Sequence, residues 1–281
     1  MKTIKTILIL CVALCFATSC KKETDMTIVQ KTVLENNTLS LIHVNHGWEV
    51  DIVYDSLNSF VEVEYSAYLG DFILVREINN WLEIGFNQNV YPLAGSVYKA
   101  TVHTMEKEHL NIRAENESVI ALKGPFALTE VIDMELINAS TCSEFTVAAP
   151  SCSILVTQDS QLLNALFTGT NCSVLVTKNS SCKGIFNVEQ SFNADAKISS
   201  QLIVFGGSIP SATLGAGDES TINMAQANVE TMNVNVAGGS EATVNVSGRI
   251  SGFLLEGSTI YYKGHPQLDV ECSEDSQLIP F

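Results

Sequence analysis

Positive charge is scarce in this chain. Lys and Arg number 15 against 31 Asp and Glu, for a formal net charge of −16. Nucleic-acid recognition needs a basic surface, so nucleic acid is excluded as a partner. An anionic membrane face is excluded as a docking partner on the same ground. Charged residues of both signs make up only 16% of the chain, below the usual quarter or so, and Ser, Thr, Asn and Gly fill the gap. The acidic excess reads as a solvated surface that keeps the protein soluble. A membrane-spanning helix needs roughly 20 apolar residues, and no segment after the first apolar run supplies them. No apolar stripe of period 3.6 persists either, which removes a helical architecture. No C-x-x-C pair exists, which leaves a zinc site without its commonest spacing.

What is present begins with an export signal. Lys2 and Lys5 precede an unbroken apolar run from Ile7 to Ala17. That run is little more than half the length a span requires, and it suits a signal core. It closes on Ala17-Thr18-Ser19-Cys20. These small residues before a cysteine resemble a bacterial lipobox, in which the cysteine thiol is acylated and becomes the new N-terminus. Ala17 stands where Leu is commoner, and an ordinary cleavable signal is the alternative. Cleavage before Cys20 removes two lysines and leaves 13 basic against 31 acidic side chains, near −18. A multiply acylated Cys20 would anchor the protein stably. Lys21-Lys22-Glu23 does not choose between leaflets.

Self-comparison then yields a repeat of about 20 residues. Six serines recur in one column: Ser140, Ser160, Ser180, Ser200, Ser220 and Ser240. Met134, Ile154, Val174, Ala194, Leu214, Val234 and Leu254 form an apolar column, and Leu136, Val156, Val176, Ala196, Ala216 and Val236 form another two positions on. The position between is mixed, which is the period-2 mark of a strand. A second strand half a repeat later is anchored by Cys142, Leu162, Cys182, Leu202, Ile222, Ala242 and Tyr262, faced by Ile132, Cys152, Cys172, Phe192, Ala212 and Met232. Its register drifts. Ser151, Asn171, Ser191, Ser211, Thr231 and Ser251 read as polar corners. One such unit cannot bury its apolar side alone, but stacked coils share a continuous core at a spacing of about 4.8 Å. The expectation is an all-β, single-stranded parallel β-solenoid with coils of about 20 residues. Its corner serines are expected to be laddered by hydroxyl-to-hydroxyl bonds.

Residues 38–128 read as β-rich but less regular, with strands at Ser40–Val44, Trp48–Tyr54, Phe60–Tyr65, Trp81–Phe86, Tyr98–Thr104 and Leu110–Arg113. Asp55-Ser56 and Asn79-Asn80 supply turn signals. The expected organisation is a signal over 1–19, acylated Cys20 and a tether over 20–37, irregular opening coils over 38–128, the regular solenoid over 129–264, and a C-terminal cap over 265–281. A separate β-domain over 38–128 is the alternative.

Three features resemble the auto-transporter adhesin family with a head GIN domain. They are the strand at Trp81-Leu82-Glu83-Ile84, the stack of Ser- and Gly-cornered turns, and the ending Tyr261-Tyr262-Lys263-Gly264-His265-Pro266. The resemblance covers about residues 31–281. It implies a lipoprotein of a Gram-negative envelope, a β-helix like that of pectin lyases without their catalytic residues, and a role in adhesion. The cysteine-rich inner columns and the absence of a clean Gly-Ile-Asn signature depart from the family. Right-handedness is implied by the resemblance and by the general preference for right-handed crossovers.

Cys152 and Cys172 share an inward column one turn apart, which would put them inside disulfide reach; buried thiols acting as small apolar residues are the preferred reading. Cys142 and Cys182 are two turns apart and cannot bond, and Cys272 is left unpaired. His43 and His46 fall on opposite faces of a strand, and His103, His109 and His265 have no evident partner. A glycosidase needs two carboxyls flanking a groove, yet Asp195, Asp218, Glu219, Asp269, Glu271, Glu274 and Asp275 make no outward ladder. Between 131 and 248 the basic residues are Lys178, Lys183 and Lys197 alone, which suits no lyase. Gly206-Gly207, Gly215-x-Gly217 and Gly238-Gly239 read as corners, since no helix follows for a phosphate loop. Trp48, Trp81, Tyr261 and Tyr262 could stack on sugars, with packing preferred. Asp55-Ser56-Leu57 resembles an O-glycosylation acceptor triplet. The reading is a non-catalytic, lipid-anchored envelope protein, seated in the outer membrane, without cofactor or metal. It binds a polysaccharide or a host-matrix ligand through a solenoid face. A polysaccharide-acting β-helix enzyme and a passive scaffold are the alternatives.

Overall fold

Each coil is a strand, a two-residue reversal and a second strand, and the reversal dictates the rest. Its two residues both adopt positive φ: Asn138 and Ala139, Gln158 and Asp159, Lys178 and Asn179, Ile198 and Ser199, Asp218 and Glu219. Asn, Asp and Gly suit that conformation, whereas a β-branched residue such as Ile198 resists it. Stacking offsets the cost. The second reversal residue donates its N–H to the neighbouring coil, as in Ala139 to Gln158 at 2.7 Å and Ser199 to Asp218 at 2.8 Å.

The protein is described by a computed structural model covering residues 24–34, 39–78, 81–88 and 90–281. The signal run, Cys20, Lys21-Lys22-Glu23 and the Asn79-Asn80 turn lie outside the described residues. Among the described residues there is no α-helix, and strands stack into a solenoid of about nine turns with a more irregular N-terminal part. The strands are β1 (Ile28–Val33), β2 (Leu41–Val44), β3 (Glu49–Tyr54), β4 (Phe60–Ser66), β5 (Ile73–Ile78), β6 (Trp81–Phe86), β7 (Tyr98–Thr104), β8 (His109–Glu115) and β9 (Val119–Lys123). There follow β10 (Phe126–Ala127), β11 (Val131–Ile137), β12 (Thr141–Thr157), β13 (Gln161–Thr177), β14 (Ser181–Lys197), β15 (Gln201–Gly206) and β16 (Ser208–Ala216). The last are β17 (Thr221–Val236), β18 (Glu241–Leu254), β19 (Thr259–Lys263), β20 (Gln267–Cys272) and β21 (Gln277–Pro280).

Two long faces result. Face A stacks β11 and the second halves of β12, β13 and β14 on β8, then continues through β16, β17, β18 and β20. Face B stacks β9, the first halves of β12 to β14, β15, and the first halves of β17 and β18 onto β19 and β21. Between them runs one apolar core from Leu39 to Ile260. Phe145, Phe167 and Phe186 fill its face-B side and are fully buried. Gly207 marks the bend before β16, where φ is +124° and a Cβ would sit 1.9 Å from the Phe186 carbonyl oxygen. No side chain fits there.

The N-terminal coils are threaded out of order. β2 lies between β6 and β8, parallel to both, and β3 lies between β7 and β9. The first coil in sequence is therefore second in the stack. β4 then closes that end antiparallel to β7, β1 runs antiparallel to β4, and β5 runs antiparallel to β6. The core and the sheet continue without a break from residues 41–123 into the regular coils.

Several expectations need correction. Residues 28–33, assigned to the tether, form β1; its side chains are mostly exposed, so its alternation is weak. Residues 265–281 hold the last coil of the solenoid, β20 and β21, which continue the parallel pairing of β18 and β19. The final coils are two positions shorter than the rest: Glu241 lies opposite Thr259 and Arg249 opposite Gln267. Leu254 consequently pairs with Val236, and Ile260 takes the place beside Ala242 that the sequence columns assign to Tyr262. The polar column Ser151, Asn171, Ser191, Ser211, Thr231 belongs to face-A strands and not to corners, and Cys152, Cys172, Phe192, Ala212 and Met232 are its inward neighbours on those same strands. Gly215 likewise lies within β16 and not at a corner.

Candidate functional site

The corner serines sit at the reversal, turned inward and buried. Ser140 N–H donates to the Ser160 hydroxyl at 3.1 Å, and the same bond links Ser160 to Ser180, Ser180 to Ser200, Ser200 to Ser220 and Ser220 to Ser240 at 3.1–3.2 Å. The ladder thus joins backbone to hydroxyl, and not hydroxyl to hydroxyl as the sequence suggests. Each hydroxyl satisfies the orphan N–H that the tight turn creates in its neighbour. The ladder breaks where the coil shortens. There Ser240 N–H turns to the Ala237 carbonyl at 3.3 Å, and the buried Ser258 hydroxyl has no partner. It resumes with Ser258 N–H to Ser276 Oγ at 3.1 Å.

The thiols line the core. Cys152 lies directly opposite Cys172 in the face-A register, and Cys142 and Cys182 flank Leu162 from either side on face B. All four are buried free thiols, while Cys272 is exposed on the last coil. Burial pushes Cys142 up to about 12 and drives Cys182 and Cys172 higher than an ordinary thiol, Cys172 also through its hydrogen bond with Cys152. Such thiols are inert.

The histidines find partners that the sequence did not reveal. His103 stacks flat on Phe60 at 4.1 Å between ring centroids and lies 3.9 Å from Asp55 and 3.6 Å from Glu62. His43 approaches Glu115 at 3.5 Å and meets Trp81 edge-on, while His46 sits in a reversal against Phe86. Antiparallel insertion of β4 beside β7 makes the His103 contacts, and no local signal foretells that. Among the described residues no group of three or more His, Cys, Asp or Glu is placed to hold a metal ion.

A groove of about 440 Å³ lies on the outer side of β1, β4, β7 and β3, with Glu49, Asp51, Glu62 and Glu64 among Lys31 and Lys99. Lys99 pairs with Glu49 at 2.7 Å; Lys123 pairs with Glu144 at 2.9 Å and approaches Asp51 at 3.9 Å. Partial burial raises Asp51 despite Lys123. These carboxylates were not among the sequence candidates, because they converge only through the out-of-order coils. Of the candidates themselves, Asp195 stands on face A between Leu175 and Gly215, Asp218 and Glu219 form a reversal, Asp269 is paired with Arg249, and Asp275 accepts the Ser273 hydroxyl. They are spread over the molecule. Trp48 is fully buried against Phe86 and Tyr98, and so cannot offer its ring to a sugar. Asp55-Ser56-Leu57 forms a surface turn in which Asp55 Oδ1 accepts from Leu57 and Asn58, with Leu57 largely exposed.

The outside of face A is a regular surface. Two adjacent outward columns run Ser151, Asn171, Ser191, Ser211, Thr231 and Ser153, Ser173, Asn193, Thr213, Asn233, Ser251. Over β12 to β17 these columns hold only hydroxyls and amides, they are exposed or half-exposed, and their strands stack without a register shift. Charge returns at both ends, with Asp133 on one side and the Arg249–Asp269 pair on the other.

A family model described as "Putative auto-transporter adhesin, head GIN domain" matches residues 38–266. Solved structures share the fold. A protein described as a putative adhesin from Parabacteroides merdae aligns with a TM-score of 0.64 at 10% identity, over 91% of this chain and 96% of its own. A putative adhesin from Parabacteroides distasonis gives 0.63 at 15% identity over 92% and 98%, and a putative lipid binding protein from the same species gives 0.60 at 14% over 91% and 97%. No curated protein matches the chain.

Proposed function

Because this chain belongs to the auto-transporter adhesin, head GIN domain family, we propose that it is a non-catalytic adhesion protein of the cell envelope that engages its ligand through a solenoid face. The observation that carries this reading is the pair of outward columns on face A, a repeated array of hydroxyls and amides with no charged side chain over β12 to β17. Acylation of Cys20 anchors the protein in the outer membrane, and its partners are that membrane, through the lipid, and a polysaccharide or a host-matrix surface. Three proteins of the same fold described as adhesins or as a lipid-binding protein support a binding role over a catalytic one. Among the described residues no helix is long and apolar enough to cross a membrane.

The test has two parts. Cells expressing the chain should incorporate labelled palmitate into it, and Cys20→Ser should abolish the label. The purified protein should be retained on polysaccharide or matrix-protein arrays with no sugar released into the supernatant. Released product would replace this reading with a polysaccharide-acting enzyme, whose carboxylates would be sought first in the groove at Asp51 and Glu62.

A further inference from the structure

The composition of face A narrows the ligand. Ten outward positions over five coils, from Ser151 and Ser153 to Thr231 and Asn233, carry no charge in a chain of net charge −16. Every one of these side chains both donates and accepts hydrogen bonds. An anionic polymer would call for Arg or Lys and would be repelled by the acidic protein around the strip. A protein partner would call for aromatic or aliphatic anchors at the centre of the contact, and neither column holds one; Leu155 and Leu175 stand half-buried in the next outward column, beside Asp195. A neutral glycan needs what is there, because its hydroxyls are themselves donors and acceptors.

Geometry adds a direction. Parallel coils repeat at about 4.8 Å, and alternate residues of one strand stand roughly 6.6 Å apart. The two columns therefore form a regular ladder along the solenoid axis, about 19 Å long over its four inter-coil steps. Register is unbroken across these strands, so the spacing does not drift. One pair of neighbouring rungs is bonded directly, Ser191 Oγ donating to Asn171 Oδ1 at 2.6 Å, which holds those two side chains at set positions before any ligand arrives. Face B offers no equivalent. Its outward columns include Leu163, Lys183 and Ile203, and its strands are bulged.

We propose that the outer strip of face A binds an extended, uncharged, hydroxyl-rich glycan laid along the solenoid axis, each coil meeting successive sugars. This rests on the adhesion reading and names its ligand class and its site. Each step is weak by itself, so affinity grows with glycan length, by linked contacts, and levels off once the five coils are covered.

The experiment uses the purified full-length protein in detergent on an array of neutral hexose and N-acetylhexosamine oligomers of graded length, beside uronic-acid and sulfated polymers and matrix proteins. Asn193→Asp with Asn233→Asp adds two carboxylates to the strip at constant shape, and Gln161→Glu with Gln201→Glu adds the same charge to face B. Thr213→Val removes one hydroxyl at constant volume. The expected result is length-dependent retention of neutral glycan, weakened at least tenfold by the face-A pair, measurably by Thr213→Val, and unchanged by the face-B pair. Melting curves establish that each variant is folded. Equal effects of the two pairs, no effect of either, or preference for anionic polymers would overturn the proposal. Retention of matrix protein without glycan would overturn it and leave the adhesion reading standing, as would strip-dependent self-association in the ultracentrifuge. No retention of any ligand would remove both.

Discussion

Face A carries its strands from β11 to β17 in unbroken register, whereas face B shifts between Leu162 and Ala165, between Gly184 and Ile185, and again between Met224 and Val229. Both faces are built from the same coils, so the difference lies in where the coils take up their variations in length. On face B the offset between paired residues changes at Leu162/Ala165, Gly184/Ile185 and Met224/Val229, whereas β12 and β13, which carry Phe145 and Phe167, pair there without a shift. Bulges absorb the extra and missing residues on that face. Face A keeps one inward column stacked on the next, as in Ile154, Val174, Ala194, Leu214 and Val234. A surface that recognises a repeating ligand needs a constant repeat, and face A supplies it.

This contrast can be broken from the core outward. Phe167→Ala removes a large inward ring of face B and should cost about 3–5 kcal/mol, read as a shifted denaturation midpoint; Cys172→Ala on face A should cost clearly less. An equal loss at both sites would mean that the two faces share the packing load. Next come the reversals that join the faces. Ser200→Ala leaves the buried Ser180 N–H without its acceptor and should cost about 1–3 kcal/mol, whereas Ser258→Ala deletes a hydroxyl that has no partner and should be near neutral. Similar costs for the two would refute the ladder as described.

The thiols divide the molecule in another way. Cys142 is neutral in the folded core, and its value rises from 9.0 to about 12. The unfolded thiol ionises first, so the stability it contributes is fully present below pH 9 and is lost as pH climbs toward about 12. Cys142→Ala should therefore flatten the alkaline limb of the stability curve. At mildly alkaline pH a thiol reagent should modify Cys272 rapidly and the four core thiols only on unfolding; rapid labelling of Cys152 or Cys172 would show that face A opens. The smallest effect is expected at the rim of the N-terminal groove. The Glu49–Lys99 pair is half exposed on both sides, and Lys99→Gln should change stability by less than about 1 kcal/mol.

Much of this was legible beforehand. The strands at 81–86 and 98–104 fall where their alternation puts them, and the coil length over 131–240 follows from the serine column. What escaped was β1, whose exposed residues alternate weakly, β5 and β9, and the shortening of the coil after Glu241, which shifts Leu254 by two positions while leaving its pattern apolar and alternating. The acidic groove and the contacts of His103 escaped for a different reason. They are made between strands that are far apart in sequence and have no common period.

The sequence by itself determined the period, the apolar columns and the family, because each is written in residues a fixed distance apart and alternation is a local property of a strand. Only the tertiary structure decided that β2 and β3 enter between later coils, that Ile198 adopts positive φ, and that the serine hydroxyls serve their neighbours' backbone. Each of these depends on which coil lies next to which, and that is set by burying one continuous core, a requirement no single coil can meet alone.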